Sequence, residues 1–235
     1  MQYIKGLDAF DGRNQTAVTL GKFDGLHRGH QKLLNRIMKY AQKEECDSVV
    51  CAFDMDRDCL MTNEERRAFL EDKVDYLIEI PFTREMMEME AEKFIEEILY
   101  KKLHASHIVV GTDFNFGHEK RGNHQMLEKY AAKYGYTVDV VEKAYYKDRE
   151  ISSTYIRELL LDGNIPLANE LLGYPYEITS VVEHGQQLGR TLGFPTMNLA
   201  PQEKKILPKY GVYACRVLVD GVWYGGVGNA GVKPT

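Results

Sequence analysis

The sequence predicts an α/β chain in two parts. Residues 1–172 read as a doubly wound, mostly parallel sheet with helices on both faces, and residues 173–235 as the start of an all-β, barrel-like domain. Three observations predict this. Up to about residue 172, short apolar or β-branched runs alternate with stretches of helical periodicity, the pattern of successive βα units. After that point helical periodicity stops. Short strand-like runs then follow one another across Gly, Asn and Pro turns.

Each element has its own warrant. TAVTLG (16–21) is a short apolar run suited to a strand buried on both faces. GHQKLLNRIMKYAQK (29–43) places Leu33, Leu34, Ile37, Met38 and Ala41 along one helical face. SVVCAF (48–53) is the next strand, and NEERRAFLEDK (63–73) opens with an Asn cap and an acidic first turn. VDYLIEI (74–80) is a strand stopped by Pro81. Residues 89–103 read as one helix, with Lys101 and Lys102 suited to its negative C-terminal end. SHIVVG (106–111) is a strand, 123–135 a helix closed by Gly135, 136–142 a strand, and 152–164 a helix with hydroxyl caps. LLGYPY (171–176) is the predicted junction, followed by strands in YEITSVVEHG, YGVYACRVLVDG and VWYGGVGNAG. The chain stops in strand-like sequence at GVKPT, which predicts a fragment or a further tail.

Composition narrows the function classes. Hydrophobic residues make up 44% and aromatics 11%, enough for a sizeable core. A net charge of −5 argues against non-specific nucleic-acid binding, which needs clustered Lys and Arg. There is no signal-peptide pattern and no apolar run near the roughly 18 residues of a membrane span, so no membrane partner is expected. Cys46, Cys51, Cys59 and Cys215 form no CxxC pair or zinc spacing, which fits a reduced, cytoplasmic protein.

The segment GKFDGLHRGH (21–30) lies where a strand gives way to a helix. In parallel sheets ligands bind beyond such carboxyl ends. Gly21, Gly25 and Gly29 allow tight turns and close backbone approach. The helix start offers free N–H groups and a positive dipole end. His27 and His30 would share a face if both were helical, and imidazole N–H groups can donate to phosphate oxygens. A metal site, a catalytic base and a phosphate cradle are all conceivable. Zinc would need further ligands, and His104, His107, His118 and His124 form no recognised pattern with them.

These residues resemble the HxGH signature of the nucleotidyltransferase superfamily, and specifically the G-x-F-D-G-x-H-x-G-H form of flavin adenylyltransferases. Three further segments extend the likeness in family order. GTDFNFGHEKRGN (111–123) is similar to the G-x-D-F-x-F-G stretch of bacterial FAD synthetases. Its aromatics Phe114 and Phe116 can cover a planar ring, while Asp113 and Asn115 offer hydrogen bonds to its edge. ISSTYIR (151–157) is similar to the I-S-S-T-x-I-R motif that closes over the ATP triphosphate. HGQQLGRTLGFPTMNL (184–199) resembles the G-R-x-L-G-F-P-T-x-N motif of riboflavin kinases. The whole resembles the bifunctional bacterial riboflavin kinase/FAD synthetase family.

The resemblance implies a Rossmann-like adenylyltransferase domain over 1–172 and the first part of a riboflavin kinase domain over 173–235. It implies ATP, FMN and riboflavin as substrates and Mg2+ as cofactor. His27, His30 and Arg157 would carry adenylyl transfer. Gly21, Phe23, Asp24, Gly25, Gly29, Ser153, Thr154, Gly189, Arg190 and Gly193 would bind ATP. Asp113, Phe114, Asn115 and Phe116 would bind flavin, and Thr196 and Asn198 would hold the metal. The FMN phosphate is ionised at neutral pH, so adenylylation needs no general base. The kinase step does, and the family places its glutamate after the PTxN motif. The chain ends before that position, so kinase turnover by these 235 residues is not expected. One departure stands out: FDMDRDC (53–59) occupies the place of the family's F-x-P-H-P turn, which puts the local pocket shape in question. Two rival readings remain: a transferase for another phosphorylated small molecule, and a non-catalytic flavin-binding regulator.

Overall fold

The computed structural model describes residues 1–54, 58–184, 191, 193 and 196–231. Tertiary contacts divide the chain into two units, Met1–Arg57 with Met61–Ile151, and Asp58–Leu60 with Ser152–Thr235.

The first unit is built on strands β1 (Gln2–Lys5), β2 (Thr16–Gly21), β3 (Asp47–Phe53), β4 (Tyr76–Ile80), β5 (Ala105–Gly111) and β8 (Thr137–Val141). They form one sheet in the order β1-β4-β3-β2-β5-β8, and every pairing is parallel. Two short ladder pairs sit outside it: β6 (Asn115–Phe116) with β7 (Gly122–Asn123), and β9 (Tyr145–Tyr146) with β10 (Arg149–Glu150). Helices α1 (Arg28–Glu44), α2 (Asn63–Leu70), α3 (Arg84–Glu88), α4 (Ala91–Lys93) and α5 (His124–Tyr134) connect the strands.

Strand alternation divides the core between two faces. Val18 and Leu20, with Ile78, Ile108 and Val110, pack with Phe94, Ile95 and Leu99 from the helix after α4. Alternate residues such as Ala17, Thr19 and Val109 are equally buried and point the other way, where α1 packs on β2, β3 and β5 with Leu34 and Ile37 inward. The central strands are thus apolar on both sides, as a covered parallel sheet requires.

The helix read over 89–103 is present over 91–102, and a short helix that the reading omits precedes it. The structure has a short α3, capped by Thr83 accepting from the Met86 N–H at 3.3 Å, then extended backbone at Met89 and Glu90. Only then does α4 begin, running on as a π-helix over Phe94–Lys102. The break has a tertiary cause. The Met89 carbonyl accepts from the His118 N–H at 2.7 Å, and a Cβ at Gly117 would lie 2.7 Å from the Ala91 backbone. Continuous helix there would displace the 111–123 loop. The sequence reading also omits β1, and it omits α7 (Ile165–Leu172) in the second unit, although Asn164, Pro166 and Gly173 are its start and stop signals.

In the second unit, α6 (Ser153–Asp162) and α7 precede two antiparallel pairs. The shorter is β11 (Val182–Glu183) with β12 (Asn198–Leu199). The longer is the hairpin β13 (Gly211–Val219) with β14 (Val222–Ala230). Its two-residue turn, Asp220-Gly221, has φ of 48° and 80°, as a type I′ turn demands. Leu60 and Cys59 join this unit: the Lys205 ammonium donates to the Leu60 carbonyl at 2.7 Å, and Cys59 bridges Lys205.

Candidate active site

β2 and β5 are neighbours, and their onward connections run in opposite directions, from β2 to β3 and from β5 to β8. The crevice between their carboxyl ends is the topological switch point, where such sheets bind ligands. Residues 21–30 occupy that point, and the 111–123 loop follows the neighbouring strand β5.

The turn after β2 is tightly wound. Phe23, Gly25 and Leu26 all have positive φ, at 46°, 78° and 37°. Left-handed backbone at two non-glycine residues costs of order 1 kcal/mol each, so neighbours must hold it. The Asp24 carboxylate accepts from the Met61 N–H at 3.3 Å. The Gln31 amide donates to the Leu26 carbonyl at 2.8 Å. Phe23 and Leu26 are fully buried beneath the turn.

His27 is the N-cap of α1, in extended conformation, and His30 lies within its first turn. They therefore do not share a helical face as two helical residues would; instead their rings stack with centroids 3.8 Å apart and planes at 22°. Phe23 meets His30 edge-on at 5.2 Å. Gly29 makes the stack possible, since a Cβ there would stand 3.0 Å from His27 Cε1 and 3.1 Å from Nδ1. The N-cap side chain makes no capping bond, which leaves the helix N–H groups open to an anion. Burial lowers the His27 pKa to about 4, and burial followed by the neighbouring His27 holds His30 well below its ordinary value. Both rings are neutral at pH 7, each with one N–H to donate. The buried Nδ1 atoms of both lack a hydrogen-bond partner among the described residues.

At the end of β5, Phe114 and Phe116 stack with centroids 5.6 Å apart. Phe116 is buried against Phe94, while Phe114 is only partly covered. Asn115 is exposed, and its amide donates to the Asp113 carbonyl at 2.8 Å. The Asp113 carboxylate pairs with Lys143 at 3.0 Å, and Lys143 also bonds Glu150 at 2.8 Å. Lys143 has no motif in the sequence; its place beside this loop follows from β8 lying next to β5.

In the second unit Ser152 caps α6, accepting from the Tyr155 N–H at 3.3 Å, so Ser153 and Thr154 fall in the helix's first turn. Arg157 lies one turn in and donates to the Asp58 carbonyl at 3.4 Å. Gly193 has φ of 79°, Thr196 is exposed, and Asn198 of β12 pairs with Glu183 of β11. Gly189, Arg190 and residues 55–57 of the FDMDRDC segment lie outside the described residues.

The FAD synthetase family model matches residues 10–155 and the riboflavin kinase model residues 172–235. Proteins named bifunctional riboflavin kinase/FMN adenylyltransferase are similar over the whole chain. That of Haemophilus influenzae is 37% identical, covering 100% of this chain and 80% of its own. That of Escherichia coli K12 is 34% identical, with 100% and 79% covered. A solved structure described as a macrolide-efflux protein from Streptococcus pneumoniae aligns with a TM-score of 0.88 at 30% identity, covering 100% of this chain and 80% of that one. Among the described residues, no helix of this chain is long and apolar enough to cross a membrane. The chain belongs to the bifunctional riboflavin kinase/FMN adenylyltransferase family, enzymes of FAD biosynthesis.

Proposed function

We propose that the switch-point crevice of the first unit is where AMP passes from ATP to FMN. The observation that carries this is the pair of stacked, neutral imidazoles at the uncapped start of α1. In the reaction an FMN phosphate oxygen attacks the α-phosphorus of ATP. The bond from that phosphorus to the bridging oxygen breaks, and pyrophosphate leaves with its electrons. The nucleophile is already ionised, so the histidines need not remove a proton. They donate N–H groups to the phosphates as charge moves toward the leaving group. Gly21, Gly25 and Gly29 let backbone approach the triphosphate, and the buried Phe23 and Asp24 hold the turn in shape. In the second unit, Ser153, Thr154 and Arg157 are phosphate-binding candidates, supported by their place in the first turns of a capped helix. Phe114 covers the flavin ring over Phe116, with Asp113 and Asn115 at its polar edge.

For the kinase step we propose that Gly189, Arg190 and Gly193 bind ATP. Thr196 and Asn198 offer neutral, hard oxygen donors. Hard oxygen donors of this kind suit Mg2+ brought in by nucleotide phosphates. Bound there, the ion would offset phosphate charge. A functional boundary at 172/173 is supported by the start of the kinase match at residue 172. Cys46, Cys51 and Cys215 form no disulfide, which supports a cytoplasmic setting.

The test is to incubate the protein with ATP, Mg2+ and FMN and to measure FAD and pyrophosphate, for wild type and His30→Ala. The variant should bind FMN normally and form FAD about 10²–10³ times more slowly. Unaltered turnover by the variant would remove the phosphate-cradle role.

A further inference from the structure

The strained turn that carries the histidines is anchored by a buried ion pair whose sequence context gives no hint of it. Arg66 on α2 and Glu79 on β4 form a salt bridge of 3.1 Å, with each side chain only 5% exposed. The same guanidinium donates through Nη1 to the carbonyl of Lys22 at 3.3 Å and through Nη2 to the Asn63 side chain at 2.7 Å. Lys22 is the residue between β2 and the positive-φ position Phe23. Glu79 is fixed in turn, its other oxygen accepting from the Tyr3 hydroxyl at 2.6 Å and from the Asn63 amide at 3.3 Å.

The start of α2 also holds the turn's other side. Met61 donates to Asp24, and the next residue, Thr62, opens α2 with a reciprocal capping box to Glu65. Residues 61–66 therefore clamp residues 22–24 at two points, one on each side of Phe23.

A buried ion pair is a poor source of net stability, because desolvation offsets most of its attraction. Arg66 Nε even lacks a partner among the described residues. What the pair supplies is direction: a planar fork held rigid by a carboxylate and aimed at one backbone carbonyl. We propose that Arg66 and Glu79 are positioning residues for adenylyl transfer, which hold the Lys22–Asp24 backbone so that His27 and His30 meet the ATP phosphates. The inference rests on the adenylyl-transfer reading above.

The test is a neutral replacement, Arg66→Met with Glu79→Gln, which removes both charges and leaves an acceptor for Tyr3 and Asn63. Wild type and variant are compared for melting temperature, FMN affinity, and kcat and KM in FAD formation. The expected result is an unchanged or higher melting temperature, unchanged FMN affinity, and kcat lower by about 10–100-fold, the scale of a sub-ångström to 1 Å misplacement. Arg66→Lys keeps the charge opposite Glu79 but loses the fork, and it should show the same drop; it decides the matter if the double variant does not fold. Turnover within twofold of wild type overturns the positioning role. So does a parallel fall of kcat, FMN affinity and melting temperature, which marks a general structural role. If wild type itself forms no FAD, the adenylyl-transfer reading fails first and this inference with it.

Discussion

Replacing Gly29 with alanine loads the histidine stack without straining the backbone of the turn. Gly29 occupies the second position of α1 and is not among the glycines with positive φ, so alanine meets no backbone penalty there. Alanine should even favour the helix, by up to about 1 kcal/mol in a helix interior and less at this end. Against that, the new Cβ would stand 3.0 Å from His27 Cε1 and 3.1 Å from Nδ1, with the Ile151 carbonyl at 3.6 Å. Contacts this close are tighter than ordinary van der Waals packing, so the ring must give by a few tenths of an ångström. The helix gain and the ring displacement oppose each other, and the melting temperature should move by only a few degrees. Catalysis has no such compensation, because His27 shifts against His30 and the phosphates they meet. FAD formation from ATP and FMN should fall by about 10–100-fold in kcat. Thermal melting and a coupled pyrophosphate assay on the same preparation suffice. A Gly29→Ala protein that melts normally and turns over at the wild-type rate would refute the claim that the stacked geometry is what catalysis uses.

Other outcomes follow from the same geometry. His30→Ala removes a ring whose buried Nδ1 has no partner among the described residues, so the fold should survive while FAD formation drops about 10²–10³-fold; normal FAD output would contradict the cradle. Phe114→Ala should raise KM for FMN about tenfold with kcat little changed, since one stacking surface is lost; a kcat effect alone would place Phe114 elsewhere than under the flavin. Acid should destabilise the protein through its buried histidines. Above about pH 6.5 His27 is neutral whether folded or not; between 6.5 and about 4 the unfolded chain takes up a proton that the native one refuses. Stability should fall across that window, by roughly 3 kcal/mol for His27, with His30 acting in the same direction. Urea midpoints at pH 7 and pH 4.5 for wild type and His27→Gln check this, and an equal acid loss in both would rule it out.

The sequence by itself determined five of the sheet's six strands, its mostly parallel sense and the motifs, because apolar periodicity and short glycine-bounded segments are local properties. TAVTLG reads as a doubly buried strand and proves to be β2; GKFDGLHRGH lies at its end as the alternation of elements requires. Even where elements were missed, as at α7, the cap residues Asn164 and Gly173 were legible. What the tertiary structure decided depends on residues far apart in the chain. The break before α4 exists because the 111–123 loop packs where continuous helix would run. The histidines stack rather than share a helical face because His27 stops just outside the helix and Gly29 leaves room for its ring. Arg66 looks like one charge among several in NEERRAFLEDK, and only the pairing of β3 with β4 brings Glu79 to it and its guanidinium to Lys22. Periodicity can tell which face of an element is buried, but which buried polar group meets which is settled by strand order, and strand order is a property of the whole sheet.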